Sequence, residues 1–203
     1  MTSSVCQYFP PQKELLLFAV ILFNFATLSA SLSDVRPLLP LTSFAHCSAV
    51  MSGIIISDNT KGKGLGAFAD TPILSGAWVG EYEGEILTRD EVEARYWSKR
   101  KLQRADRRWI KSREKRSQGI SGDYLFDMGD ELYIDGEDAD VSSWCRFINH
   151  GTAESIECNT ETRCTRQFWD GEKIVQPRLW FVAIRNIKRG EELLYDYGDS
   201  YWD

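Results

Sequence analysis

The sequence predicts a β-rich α+β domain, and three observations support this fold class. Short runs of β-branched and aromatic residues recur between turns that contain Gly and Asp, as is typical of strands. Only one substantial helical pattern is present, and it does not alternate with strands as in a parallel βαβ sheet. The 203 residues fit one domain, or one domain with an appendage, and 43% apolar with 27% charged residues is an ordinary globular composition.

The first 50 residues are predicted to be a hydrophobic leader and a linker. Residues 15–30 are apolar apart from Asn24, Thr27 and Ser29, and as a helix they would span about 24 Å, short of a bilayer core. This length favours a secretory signal. A short membrane anchor, an organellar leader and a misassigned start codon are alternatives. Residues 31–50 contain Pro37 and Pro40 and are predicted to be the linker.

The domain is predicted to cover residues 51–203, with a core of about 53–198. Thr88 and Glu91 form a capping box, which predicts one helix that begins there and ends before Ser117, within a basic insert at 88–119. Gly129-Asp130 and Asp170-Gly171 are turn signals. The predicted strands cover residues 53–57, 65–69, 77–82, 123–128, 131–135 and 179–185.

The charge is distributed unevenly around a net value of −6. Residues 89–119 hold 12 of the 24 Lys and Arg residues but only 5 of the 30 Asp and Glu residues. The segment 89–116 is interpreted either as a contact for nucleic acid or an acidic surface, or as a solvated helix. Trp97 and Trp109 favour the first interpretation, since aromatic rings can stack on bases. The acidic stretch 130–140 could attract a cationic peptide or be a plain surface hairpin.

Composition also excludes several kinds of site. There are two His and five Cys residues and no C-x-x-C pair, which argues against zinc ribbons and thioredoxin-type motifs, and no metal site is predicted. The Gly-rich loop at 61–66 lacks the G-K-[ST] ending, and no helix follows it, which disfavours a phosphate-binding loop.

Five short motifs follow one another along the chain. They are the loop K-G-K-G-L-G at 61–66, Y-E-G at 82–84, Y-L-F-D at 124–127, R-F-I-N-H at 146–150 and E-L-L-Y-D-Y-G at 192–198. In this order they resemble the motifs of SET-domain protein lysine methyltransferases. The last motif is similar to that of small SET enzymes that monomethylate a histone-tail lysine. R-F-I-N-H followed by this last motif is the most specific part of the resemblance.

The resemblance implies a SET-domain fold of short sheets with one inserted basic helix, in which R-F-I-N-H and the C-terminal motif pass each other as a pseudoknot. S-adenosylmethionine would bind on one face, and the target lysine would enter from the other. Tyr197 matches the catalytic tyrosine, and Tyr195 and Tyr124 are further catalytic candidates. The implied cofactor-binding residues are Lys63, Gly64, Leu65, Tyr124, Arg146, Phe147, Asn149, His150, Tyr197 and Trp202.

The chemistry of methyl transfer agrees with these residue types. A neutral amine displaces a sulfonium in line, so alignment matters more than a strong acid or base. The lysine, with a pKa of about 10.4 in water, must first lose its proton, which an apolar channel and a nearby sulfonium favour. In this family a Tyr at position 195 tends to limit methylation, so a monomethyltransferase is predicted.

Two features leave other functions open. Gly151 stands where the family usually has Ser, and Cys158 stands where Pro is common, which keeps a catalytically silent SET-like binding module as an alternative. The leader favours a non-histone substrate in an organelle or the secretory pathway, and possible membrane targeting by 15–30. The family itself implies a nuclear enzyme that acts on a histone tail.

Overall fold

Thirteen short strands and two helices make up the described part of this computed structural model, which covers residues 7–8, 52–60, 62–151, 157–198 and 201. The strands are β1 (Gln7–Tyr8), β2 (Ile54–Ser57), β3 (Gly66–Ala69), β4 (Trp78–Glu81), β5 (Glu85–Thr88), β6 (Leu125–Gly129), β7 (Leu132–Asp135), β8 (Asn149–His150), β9 (Thr160–Thr165), β10 (Phe168–Trp169), β11 (Ile174–Val175), β12 (Arg178–Ala183) and β13 (Leu194–Tyr195). The helices are α1 (Arg89–Arg95) and α2 (Arg104–Lys115), and a 3-10 turn spans Trp144–Phe147.

The strands form several small sheets around one core. The largest has the order β1-β9-β12-β4, and a three-stranded sheet has the order β5-β7-β6. Strands β2 and β3, β10 and β11, and β8 and β13 pair separately. Leu179, Phe181 and Ala183 alternate along β12 and are buried, as expected for a strand with one face on the core. The predicted β-rich α+β class is confirmed.

The helical insert differs from its prediction, because two helices replace the single expected one. Thr88 caps α1 as predicted: its backbone N–H donates to Glu91 Oε2 at 2.9 Å. The chain then leaves the helical path at Ser98, whose φ is +54°. Helix α2 begins anew where the N–H of Gln103 donates to Asp106 Oδ2 at 2.8 Å. The capping box at Thr88 predicted the start of α1, but the start of α2 depends on the buried carboxylate of Asp106.

Helix α2 is fixed to the three-stranded sheet by buried charges. Arg113 is 1% exposed, and its Nη2 lies 2.7 Å from Asp135 Oδ2 and 3.1 Å from Glu85 Oε2. Tyr96 donates its hydroxyl to the same Asp135 oxygen at 2.6 Å. The Trp109 ring stacks on the Arg113 guanidinium, and its Nε1 donates to Glu85 at 2.8 Å. Much of the basic segment therefore neutralises acidic side chains of its own chain.

The acidic stretch is correspondingly less available than the sequence suggested. Asp135, Glu137 and Asp138 are buried, so these carboxylates cannot attract a peptide from solution. Glu137 accepts the backbone N–H groups of Ser121 and Gly122. Burial alone would raise the pKa of Asp138, but hydrogen bonds from Arg116 outweigh it and lower that pKa.

The predicted leader at 15–30 lies outside the described residues. Among the described ones, none of the helices is both long and apolar enough to cross a bilayer.

Candidate active site

The site is built where two distant segments become neighbours. Strand β8 pairs in parallel with β13, so that Asn149 lies opposite Leu194 and His150 lies opposite Tyr195. On the other side of this segment, the N–H of Leu193 donates to Ala67 O of β3 at 2.8 Å. The C-terminal motif thus lies between R-F-I-N-H and β3, which is the juxtaposition expected of the predicted pseudoknot.

The Gly-rich loop is held onto R-F-I-N-H by two side chains. Asn149 Nδ2 donates to Leu65 O at 3.1 Å and to Glu192 Oε1 at 2.9 Å. Lys63 Nζ donates to His150 O at 2.8 Å. Three segments that are far apart in sequence therefore meet at Asn149.

Gly66, at the end of this loop, is required because three side chains lie very close to its backbone. A Cβ there would lie 2.5 Å from Thr60 Cγ2, 2.7 Å from Glu192 Oε1 and 2.9 Å from Asn149 Nδ2. These distances are too short for any side chain, so the glycine allows the Asn149 amide and the Glu192 carboxylate to meet beside the loop.

The same loop suits an amino-acid ligand such as the methionine end of a methyl donor. Lys63, Gly64 and Leu65 are exposed, and a Cβ built at Gly64 would find nothing within 4 Å. The backbone can therefore be approached closely, and backbone N–H groups are good partners for a carboxylate. Asn149 and His150 lie directly beside this loop and are partly exposed. Lys63, Gly64, Leu65, Asn149 and His150 therefore lie where one ligand could contact them, and their binding of the cofactor stays a prediction.

Tyr197 is fixed at both its backbone and its hydroxyl. Its N–H donates to His150 Nδ1 at 3.2 Å, and its hydroxyl donates to Ile148 O at 2.8 Å. Burial raises the pKa of Tyr197, and the nearby Tyr201, Tyr124 and Tyr195 raise it further. The phenol therefore stays neutral at physiological pH. A neutral phenol can orient a bound amine by hydrogen bonding but cannot act as an anionic base.

Tyr195 lies next to Tyr197 in an aromatic cluster. The two ring centroids are 5.9 Å apart, and Tyr195 also packs against Phe126 at 5.9 Å and Phe181 at 5.4 Å. Tyr195 is only 8% exposed. Ring walls of this kind exclude water, which favours the neutral form of an amine placed among them.

Tyr124 joins the site through Arg146. The guanidinium of Arg146 lies 4.3 Å from the centroid of the Tyr124 ring and 5.3 Å from that of Phe147. Arg146 Nη1 donates to Glu137 O at 3.0 Å, and Tyr82 donates its hydroxyl to Tyr124 O at 2.8 Å. In this geometry Arg146 supports Tyr124 and Phe147. Direct contact of Arg146, Phe147 or Tyr124 with a cofactor stays a prediction.

Trp202, a predicted cofactor-binding residue, lies outside the described residues. Its neighbour Tyr201 is 43% exposed, and its ring lies 4.7 Å from that of Tyr197. Sequence reasoning missed three other members of the site. Phe126 and Glu192 stand inside quoted motifs and could have been chosen, whereas Phe181 belongs to an ordinary buried strand that carries no signal.

The two departures from the family pattern lie in contact. A Cβ at Gly151 would lie 3.0 Å from Leu194 Cβ and 3.1 Å from Cys158 Sγ, and the Cys158 thiol donates to Gly151 O at 2.8 Å. Cys158 therefore fills the space that a Ser side chain would need. With Gly151 and Cys158 packed in this way, Asn149 still donates to Leu65 O and Tyr197 still donates to Ile148 O.

Comparison with known proteins places this chain in a family. The SET domain family model matches residues 64–198, about two thirds of the chain and within the predicted core. This chain belongs to the SET-domain family. The SET domain is 32% identical over 147 residues to the histone-lysine N-methyltransferase SUV39H2 of Xenopus tropicalis, covering 71% of this chain and 29% of that protein. It is 30% identical to the N-lysine methyltransferase KMT5A-A of Danio rerio, covering 68% of this chain and 33% of that protein.

Each of these relatives is therefore about three times longer than the region it shares with this SET domain. Among solved structures, Chaetomium thermophilum polycomb repressive complex 2 matches at 26% identity with a TM-score of 0.45, covering 72% of this chain and 15% of that one. The family model and the curated relatives confirm the family predicted from the five motifs.

Proposed function

We propose that this SET domain is an S-adenosylmethionine-dependent protein-lysine N-methyltransferase that monomethylates a histone-tail lysine. The observation that carries the proposal is the convergence of the Gly-rich loop, Asn149, His150 and the two tyrosines Tyr195 and Tyr197 at one place. Relatives named as histone-lysine methyltransferases support both the reaction and the substrate class.

Each group has a distinct part in this mechanism. S-adenosylmethionine, when bound, supplies a methyl group on a sulfonium. The exposed backbone of Gly64 and Leu65, with Asn149 and His150, would hold the donor on one side. The aromatic cluster around Tyr195 would exclude water from the incoming lysine and favour its neutral amine. Tyr197, neutral and fixed on Ile148 O, would orient that amine for in-line attack.

The deciding experiment uses the full chain, radiolabelled S-adenosylmethionine and core histones. Label should enter one histone and be absent when the lysines of its tail are replaced by arginine. Cofactor binding by calorimetry without label on any histone would contradict the histone assignment. Absence of both binding and label would instead favour the silent binding module.

Product multiplicity gives a separate prediction for Tyr195→Phe. Tyr195 lies in a buried ring cluster, and we expect removal of its hydroxyl to give a methylated nitrogen more room to rotate. We expect the unmodified enzyme to form monomethyl-lysine and the variant to shift the products toward di- and trimethyl-lysine. Mass spectrometry of a methylated tail peptide measures this ratio. Mostly trimethyl product from the unmodified enzyme would refute the monomethyl assignment.

Cofactor affinity gives a prediction for Gly66→Ala. The added methyl group must displace the side chains of Thr60, Glu192 and Asn149, and overpacking of this kind destabilises a protein by about 1–3 kcal/mol. We expect the affinity for S-adenosylmethionine in calorimetry to fall at least about tenfold. Gly171→Ala is the control for destabilisation away from the site, because Ala is strained at a φ of +97° although nothing lies within 4 Å of the added Cβ. Equal affinity in the two variants would remove Gly66 from the cofactor site.

A second candidate is a methyltransferase for a protein of the secretory pathway. Residues 15–30 resemble a signal segment, and Cys164 is disulfide-bonded, which suits an oxidising compartment. Fluorescent fusions of the full chain and of a chain without residues 1–50 test this. Secretory localisation that depends on residues 1–50 would favour this candidate, whereas nuclear localisation of the full chain would favour the histone substrate.

A further inference from the structure

The outer face of α2 carries a stripe of positive charge that the active site does not use. At 100° per residue, five cations fall within an arc of about 100° on this helix. They are Arg104, Arg107, Arg108, Lys111 and Lys115, and all five are exposed. The buried Asp106 and Arg113 lie on the opposite face. We call these five residues the α2 stripe.

The insert contains two contrasting groups of arginines and lysines, and Lys99 and Lys101 belong to neither. Arg95, Arg100, Arg113 and Arg116 each form ion pairs with carboxylates of this chain. Within the described residues, no member of the α2 stripe forms an ion pair. This contrast arises in a chain with 30 acidic and 24 basic residues, where carboxylates are abundant.

From this arrangement we propose that the α2 stripe binds the phosphate backbone of a nucleic-acid duplex. From Arg104 to Lys115 the helix rises about 16 Å, and a duplex presents one negative charge for about every 1.7 Å of its axis. A regular line of cations over this length matches a linear polyanion of high charge density. An acidic protein surface rarely carries so many charges over the same distance, which makes it the less suitable partner.

The stripe is independent of methyl transfer, so its test needs no methyl donor. The full chain is titrated with a fluorescein-labelled DNA duplex of about 20 base pairs, over a series of salt concentrations. Five phosphate contacts predict a slope of log K against log salt of about −4.5, at about 0.9 per contact. Failure of methylation would leave this result unaffected, and failure of binding would leave the proposed reaction unaffected.

Two variants of equal net charge separate the stripe from general electrostatics. Arg104→Gln/Arg108→Gln/Lys111→Gln removes three charges from the α2 stripe. Lys173→Gln/Lys188→Gln/Arg189→Gln removes three exposed charges elsewhere. At about 0.1 M salt we expect the stripe variant to bind the duplex at least about tenfold more weakly than the unmodified chain. Its slope of log K against log salt should be about −1.8, because two of the five phosphate contacts remain. The control should bind like the unmodified chain.

Several outcomes would overturn the proposal. They are equal loss of binding in both variants, no loss in the stripe variant, and a slope shallower than about −2 for the unmodified chain. Tighter binding to polyglutamate than to the duplex, lost only in the stripe variant, would assign the stripe to an acidic protein instead. Thermal melting of both variants checks that Gln at these exposed positions leaves the fold intact.

Discussion

Tyr197→Phe should lower kcat for methyl transfer by about 10²–10³-fold, the effect typical of losing one preorganised hydrogen-bonding group from an active site. The Tyr197 hydroxyl is fixed on Ile148 O at 2.8 Å beside the Tyr195 ring, in the place where the amine is expected. Its raised pKa keeps the phenol neutral, so the loss reflects orientation of the substrate and not removal of a base. Single-turnover methylation of a tail peptide measures the rate directly.

A matched control separates this role from packing. Tyr201→Phe removes a hydroxyl from the ring that lies 4.7 Å from Tyr197, but Tyr201 is 43% exposed. We expect less than about a threefold change in kcat for this control. The lost hydrogen bond in Tyr197→Phe should lower the free energy of unfolding by only about 1 kcal/mol. Unchanged kcat in Tyr197→Phe would remove this tyrosine from the catalytic step.

Local patterns of sequence predicted those parts of the molecule that local forces determine. The β-branched run before Ser57 became β2, and Thr88 with Glu91 began α1 as a capping box. The family motifs assigned Asn149 and the Gly-rich loop to one cofactor site, and the structure brings the two into contact. These features depend on neighbours in the chain or on motifs whose order is distinctive.

Long-range partners account for what could not be predicted. The break between α1 and α2 depends on Asp106, which is buried only because Arg95 and Arg100 converge on it. The burial of Asp135 depends on Arg113, 22 residues away. Phe181 enters the aromatic cluster through strand pairing and not through any motif. The number of charges in the insert does not show where they lie, because the helix places Arg108 and Arg113 on different faces, one exposed and one buried.

Arg113→Ala should be the most destabilising single substitution in the insert, at about 3–5 kcal/mol, because it leaves a buried carboxylate without its counter-ion. Asp135 is fully buried, and the remaining partners of its side chain are neutral donors, namely the Tyr96 hydroxyl and the Glu137 N–H. The substitution also removes the guanidinium that stacks on Trp109. Urea denaturation followed by circular dichroism gives the free energy of unfolding.

Arg108→Ala is the natural control, since it makes the same change on the exposed face of the same helix, where about 0.5 kcal/mol or less is expected. If the unpaired charge is the cause, Asp135→Asn added to Arg113→Ala should recover part of the loss, because a neutral amide is less unfavourable when buried than a carboxylate. Strictly additive losses in this double-mutant cycle would mean that Arg113 stabilises the insert by packing on Trp109 and not by its charge.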